Sequence, residues 1–476
     1  MTSFNLVNFF FFNLLLKFVF LKKKLIFVYE HARHGARGPS SSYGAILKNG
    51  VDEYQINWGT DGELSQIGKR QHYLLGVRNR IKYDGFINFT HYNPKEILIH
   101  ATNYNRTHQS ILSELYGMYE NIVEDELKNE EIDYSLVNFK YMNQSLQERI
   151  NSSNEKNDLG YKVNGKSFPV FNVHPFPSGR IFLVDHCIKL KNYRDEKVGK
   201  DVEEFYKEFD ANFSAAFTNF TNHSVDFFHL YDIMKSITDH FICDYDNKKN
   251  LSHLADKGLN LTAFYDFSKR FYGHFIFNYF IDEYTSGLEE THLLQDVLSY
   301  MDSRIENINN ITYLAPKMVM DCGHDTTVGP IARFMNASFH VPYHTFCEFA
   351  CNIYFELYER DGKDNYTVDY YLDDELIFEG MDYKLFKKTL QDNFWNDTYM
   401  DQFCGREEDT NINSKNKLSD YANLLFAVSM VTTILLIIFV TSTIVIFRRL
   451  KILQRKYRAN SLMTKETKGS ELSTLL

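Results

Sequence analysis

The sequence predicts an α/β fold on a mostly parallel sheet, interrupted by a helical lobe and followed by one membrane-spanning helix. Three observations predict it. Leu25–Tyr29, five apolar residues without alternation, reads as a buried strand of a parallel sheet, and Glu96–Ala101 and Lys317–Asp321 read as further strands, each followed by helical spacing. Between about residues 120 and 303 strand-like runs shrink to pieces such as Arg180–Leu183, while helical stripes recur at Val202–Phe217, Phe227–Phe241, Leu261–Ile281 and Leu293–Ile308. Last, Leu424–Phe447 carries no charge and, at about 1.5 Å per residue, is long enough to cross a ~30 Å hydrocarbon layer. A chain of 476 residues, 44% hydrophobic and 24% charged, can bury a core of two lobes.

The first strand loses its apolar run at Glu30 and leads into Arg33, His34, Gly35, Arg37, Gly38 and Pro39. Open α/β sheets bind ligands at the carboxyl ends of their strands, and guanidinium forks match phosphate or carboxylate oxygens in pairs. His34 between two arginines has its charged form disfavoured by like charge, which keeps it a neutral nucleophile in mild acid. Next, Leu64, Ile67, Gln71, Leu74, Leu75 and Arg78 fall at helical spacing behind Ser65 as N-cap, and read as a scaffold helix. After the second strand a helix starts at about Thr107, with Ile111, Leu112, Leu115 and Met118 as its apolar stripe. Arg106 sits just before it, against the helix dipole, which points to a bound anion shared with the free amides. The third strand ends in Cys322, Gly323, His324 and Asp325, so a second imidazole and a carboxyl that could protonate a leaving oxygen also lie at a carboxyl end. Beyond it Ile353–Glu359 and Tyr366–Leu372 alternate as paired strands around a turn at Arg360–Gly362.

A net charge of -10 argues against nucleic-acid binding, and an arginine cluster on an acidic protein fits a small anionic substrate. Residues 1–24, with the apolar run Leu6–Leu21, read as a signal peptide, although Lys22, Lys23 and Lys24 lie on the side to be translocated. Arg448, Arg449, Lys451, Arg455, Lys456 and Arg458 follow the span and put the tail, 448–476, in the cytosol by the positive-inside rule. A polar stalk, 406–423, precedes the span. The six cysteines, Cys187, Cys243, Cys322, Cys347, Cys351 and Cys404, all precede it as well, as a lumenal disulfide set would. Their spacing is not that of a zinc site, and the histidines of the helical lobe are scattered, so no metal is expected. Asn-x-Ser/Thr sequons between Asn88 and Asn396 support the lumenal side. The ending Glu471–Leu476, with an acidic residue before Leu475 and Leu476, matches a signal read by sorting adaptors on lysosomal and endosomal proteins.

The order RHG-x-R-x-P at Arg33–Pro39 resembles the signature of the histidine acid phosphatases, branch 2 of the histidine phosphatase superfamily. Three further motifs extend the resemblance. Gly62–Gly68 is similar to the family's G-x-L-T-x-x-G, with Ser65 where Thr is usual; Thr102, Arg106, Thr107 and Ser110 match T-x-x-x-R-T-x-x-S; and GHDTTV at Gly323–Val328 matches the second signature. The resemblance covers about residues 25–405. It implies a three-layer α/β/α core, phosphoglycerate-mutase-like, with a helical cap at about 120–303. It also implies that Arg33, Arg37, Arg106 and His324 bind the phosphoryl group, that His34 forms a covalent phosphohistidine, and that Asp325 protonates the leaving oxygen and later activates water. No cofactor is implied, because the arginines bring the positive charge a metal would supply. It further implies that Cys187 pairs with Cys404 and Cys243 with Cys347, leaving Cys322 and Cys351 as an extra bridge. The expected activity is broad phosphomonoester hydrolysis on the lumenal side of a lysosome- or endosome-like compartment or at the cell surface, with a homodimer left open. Inositol phosphates remain an alternative substrate class, and a silent membrane ectodomain an alternative function.

Overall fold

The computed structural model describes residues 23–40, 62–120, 162–163, 166–167, 171–176, 202–221, 224–279, 283–307, 315–342, 346–360 and 365–404, with 145, 187 and 189. The expected leader before Lys23, the stalk, the span 424–447 and the tail lie outside these. Among the described residues no helix is long and apolar enough to cross a membrane. The chain divides into two units, Met1–Met400 and Asp401–Leu476, and the sheet and the helices named below belong to the first.

Strand β1 (Lys23–Arg33) is the axis of a seven-stranded sheet. On one side it runs parallel to β6 (Met318–Gly323), which is followed outward by β2 (Ile97–Ala101) and β5 (Val173–Pro175), all parallel. On the other side it runs antiparallel to β7 (Asn352–Arg360), then β8 (Asn365–Leu372) and β9 (Glu375–Asp382). The sheet is therefore mixed, half parallel and half antiparallel, where a mostly parallel one was expected. A separate hairpin joins β3 (Lys162–Val163) and β4 (Lys166–Ser167).

Two expectations about β1 change. Glu30 does not end it: Glu30 and His31 are buried within the strand because both find hydrogen-bond partners there, which removes the cost of burying them. Nor does it wait for Leu25. Lys23, assigned to the leader, is already paired with Arg360 and reaches Asp369 and Glu379 with its ammonium.

The pleat divides the core. Val28, Ile99, Met318 and Met320 face helices α1 (Gln66–Lys82) and α2 (Asn105–Met118), packing on Ile111, Leu115 and Met118. Phe27, Tyr29, Val319 and Phe355 face the other way. A helical lobe follows, built from α3 (Glu203–Asn212), α4 (Ser214–Thr221), α5 (Tyr231–Asp246) and α6 (Leu261–Tyr279). Its own core is rich in aromatics, with Phe209, Phe213, Phe217, Phe264 and Phe267 in ring contact. The next helix, α7 (Glu283–Glu306), falls partly within the predicted insertion but packs on the sheet through Leu294, Val297 and Met301. Alongside it lie α8 (Asp325–Phe339) and α9 (Tyr383–Asn393), so helices cover both faces of the sheet.

Helix α1 starts where expected, with Ser65 Oγ accepting from the Gly68 amide at 3.1 Å. It buries a different face from the predicted stripe. Leu74 is 47% and Ile67 37% exposed, while Gly68, His72, Gly76 and Asn79 turn inward. Close approach of two helices selects this face: a Cβ at Gly76 would stand 1.8 Å from the Glu114 carbonyl oxygen, and one at Gly117 2.1 Å from that of Tyr73. No neighbouring side chain can yield there, since the obstacle is backbone. Gly76→Ala is therefore expected to cost about 3 kcal/mol, the upper end of the range for overpacking, read as a fall in the urea midpoint without a change in slope.

Candidate active site

The register of three parallel strands places the predicted residues together. Arg33 lies opposite Gly323 in the pairing of β1 with β6, the His34 amide donates to the Gly323 carbonyl at 3.0 Å, and the Thr102 amide donates to that of Cys322 at 3.2 Å. Segments remote in sequence thus end side by side, and the rings of His34 and His324 meet edge to face with centroids 5.4 Å apart.

Gly35 lets the turn after β1 press against α1. A Cβ there would be 2.4 Å from the Gly68 carbonyl oxygen, and a Cβ at Gly68 2.1 Å from that of Ala36. The Gly35 amide donates to Ser110 Oγ at 3.1 Å, and Ser65 Oγ donates to the Ala36 carbonyl at 2.9 Å. Both α1 and α2 therefore hold the turn.

His34 Nδ1 is 2.9 Å from the Gly35 carbonyl oxygen. A carbonyl only accepts, so Nδ1 carries the hydrogen and Nε2 keeps its lone pair. Burial is the largest cause pushing the His34 pKa well below the usual imidazole range, and the charges of Arg106, His324, Arg33 and Arg37 push it further. The sequence identified the like charge and missed the larger effect of burial.

The arginines are anchored at their far ends. Arg33 Nη2 pairs with Asp325 at 2.7 Å, and Nη1 donates to the Cys347 carbonyl. Arg37 Nη2 pairs with Asp239 at 2.8 Å, and Nη1 donates to the Gly38 carbonyl at 2.9 Å. Arg106, in the first turn of α2, packs on the Tyr104 ring and donates from Nη2 to His324 Nδ1 at 3.3 Å. Burial and the neighbouring Arg37 lower its pKa. In all three arginines the Nε–H is buried without a hydrogen-bond partner among the described residues. Leaving a buried donor unmade costs about 1–3 kcal/mol, more when it is charged, so three of them form a strong demand for an anion.

His324 has both ring nitrogens engaged, since Nε2 lies 2.9 Å from Thr102 Oγ1 while Nδ1 accepts from Arg106. It can donate to a phosphoryl oxygen only by exchanging a partner. Asp325 begins α8 beside it. All six predicted site residues, Arg33, His34, Arg37, Arg106, His324 and Asp325, belong to this one constellation.

The cysteines differ from expectation. Cys347 is bonded to Cys351, not to Cys243, and Cys243 and Cys322 are free thiols. The bridge expected between Cys322 and Cys351 is excluded by the pleat, because the two sit in core clusters on opposite faces of the sheet. Cys187 and Cys404 are each disulfide-bonded. The loop closed by Cys347 and Cys351 forms a wall of the site: Phe349 stacks 4.2 Å from the Arg33 guanidinium and 5.9 Å from the His34 ring centroid.

Behind the site lies a polar network that periodicity could not reveal. His72 Nε2 donates to the Arg33 carbonyl at 2.9 Å, and its Nδ1 is 3.0 Å from Glu114. Asn79 donates to both Glu30 and Glu114 at 2.9 Å, and Tyr354 donates to Glu30. Burial lowers the His72 pKa to about 4, so the neutral ring, having given its hydrogen to Arg33, must accept at Nδ1. Glu114 can then donate only as the acid. Burial pushes its pKa up to about 7, and burial with the facing Glu114 raises that of Glu30.

The family model described as histidine phosphatase superfamily, branch 2, matches residues 24–373, and the chain belongs to that family. The chain is 36% identical to Xenopus laevis lysosomal acid phosphatase over 99 residues, 20% of this chain and 21% of that protein. It is 35% identical to Mus musculus prostatic acid phosphatase over 97 residues, 20% of this chain and 24% of that protein. These alignments span between a fifth and a quarter of the curated relatives' lengths. Among solved structures, the fold is similar to that of Klebsiella sp. ASR1 phytase, with a TM-score of 0.54 at 11% identity over 79% of this chain and 97% of that one. It is also similar to D. castellii phytase, with a TM-score of 0.51 at 13% identity over 80% and 82% of the two chains. At such identities the likeness is one of fold alone.

Because Glu114 is protonated in the fold to about pH 7 against an ordinary 4.5, its contribution is fully present below 4.5 and is lost as pH rises through 7. Stability measured by denaturant is expected to fall by up to about 3 kcal/mol across that interval. Glu114→Gln, which stays neutral and can still donate to His72, is expected to flatten the fall.

Proposed function

We propose that the chain is an acid phosphatase that hydrolyses phosphate monoesters through a covalent phosphohistidine. The observation that carries this reading is the set of three buried Nε–H donors on Arg33, Arg37 and Arg106, unpartnered among the described residues, beside an imidazole whose Nδ1–H is held by the Gly35 carbonyl so that Nε2 carries the lone pair. Phosphoryl oxygens satisfy those donors, and the positive charge they bring stabilises the transferring group. His34 Nε2 then forms the N–P bond as the ester P–O bond breaks, and the leaving oxygen takes a proton from Asp325. In the second step Asp325 takes a proton from water, whose oxygen displaces His34 and releases phosphate.

The pocket suits acid conditions. Buried among guanidiniums, His34 stays neutral well below the ordinary imidazole range, so the nucleophile survives in acid. The same reading places this domain on the lumenal or outer side of a membrane, in a lysosome- or endosome-like compartment or at the cell surface, anchored by 424–447. The basic flank, the sequons and the ending Glu471–Leu476 support it, and so do the lysosomal acid phosphatase relatives.

Release of phosphate from p-nitrophenyl phosphate near pH 5 tests the reading. His34→Ala is expected to lose at least about a thousandfold in turnover, and equal rates would end the proposal. Asp325→Asn is expected to slow alkyl phosphates by about 10²–10⁴ and p-nitrophenyl phosphate far less, since nitrophenolate leaves with little help from a proton. Activity after prolonged dialysis against a chelator is expected to be unchanged, and its loss would replace the mechanism with a metal-dependent one.

A further inference from the structure

We propose that Asp239, on helix α5 of the inserted lobe, is a positioning residue that orients Arg37 for phosphate, so that the lobe's docking sets phosphate affinity. The inference rests on the phosphatase reading and adds a residue that no motif marks.

Three residues of α5, each a turn apart, converge on Arg37. Asp239 takes Nη2 at 2.8 Å and Nη1 at 3.4 Å in a two-point pair. Cys243 Sγ lies 3.3 Å from Nη1. Asn247, the C-cap of the helix, donates from Nδ2 to the Arg37 carbonyl at 3.1 Å. Spacing of i, i+4 and i+8 keeps the three on one face, so a single helix edge grips both ends of one residue. Arg37 and Asp239 are both buried, 6% and 3% exposed.

The pair decides what Arg37 can offer. Its terminal nitrogens already donate to the lobe and to Gly38, and among the described residues its buried Nε–H has no partner, so Nε–H and the second hydrogen of Nη2 are what it can offer an anion. Without the carboxylate, the guanidinium would be left buried beside the like charge of Arg106 with its tip unheld. Burial disfavours the charged form of Arg37 and Asp239 more than offsets this; burial likewise works to raise Asp239, and Arg37 overrides it. Asp239 reaches the site only through Arg37, which makes it a positioning residue and separates it from Asp325. The free thiol of Cys243 completes the same grip and needs no chemistry of its own.

The test is a double-mutant cycle on the full-length chain, with Asp239→Asn, Arg37→Ala and the double variant. Calorimetry gives the Kd of inorganic phosphate, and kinetics give KM and kcat for p-nitrophenyl phosphate. Asp239→Asn alone is expected to raise Kd and KM by about tenfold or more while kcat changes by less than about threefold. In the Arg37→Ala background the same substitution is expected to change Kd by less than about twofold. Unchanged phosphate affinity, or equal losses in the two backgrounds, would overturn the inference. If Asp239→Asn does not accumulate as folded protein, Asp239→Glu takes its place in the cycle. Its longer side chain displaces the guanidinium, and the same pair of results supports or overturns the inference. Because the cycle is read on phosphate binding, a wild type that binds phosphate without turnover would sink the phosphatase reading and still decide the role of Asp239.

Discussion

Arg33 opposite Gly323 is the pairing on which the site depends. Parallel strands bring their carboxyl ends to one edge, and this register sets the turns after β1 and β6 level with each other. A slip of one residue would send Arg33 and His34 to opposite faces and separate His34 from His324. The backbone bonds from His34 to Gly323 and from Thr102 to Cys322 lock the level of all three ends. Side-chain chemistry follows from that alignment.

Placing three guanidiniums beside two neutral imidazoles at one edge gathers like charge in a buried place. The fold offsets most of it by pairing Arg33 with Asp325 and Arg37 with Asp239, while Arg106 rests on the Tyr104 ring. Each pair holds the tip of its arginine, while the Nε–H has no partner among the described residues. The same anchoring explains why the disulfide loop matters: it carries the Cys347 carbonyl and the Phe349 ring to Arg33 and so fixes its plane.

The layer beneath is built for acid. Glu30 and Glu114 face each other in the dry space between β1, α1 and α2, where neither ionises readily, and a proton held there lets His72 support the Arg33 carbonyl. The glycine contacts between α1 and α2 bring these groups within reach. Packing, protonation and the position of the turn after β1 are therefore one arrangement.

Much of this was legible in the chain. The three inner strands, the turns that end them and the six residues of the candidate site could be read from apolar runs and from side chains whose chemistry suits an anion. Other features were not. The inward face of α1 is glycine and polar, so a search for an apolar stripe chose Leu74 and Ile67, which lie toward solvent. Strand β9, with its largely exposed pattern, gave no buried run to find. The cysteine pairing depended on which face of the sheet each thiol occupies, and Asp239 looked like any acidic residue on a helix. Local sequence determined which chemistry stands at each strand end, because a motif records residue types at fixed spacing along one segment. Only the tertiary structure decided how that chemistry is held: the mixed sheet, the neutral tautomer of His34, the grip of α5 on Arg37 and the buried carboxyls beneath. The physical reason is that burial and cross-chain hydrogen bonds set orientation and protonation, and both depend on residues brought near from distant parts of the chain.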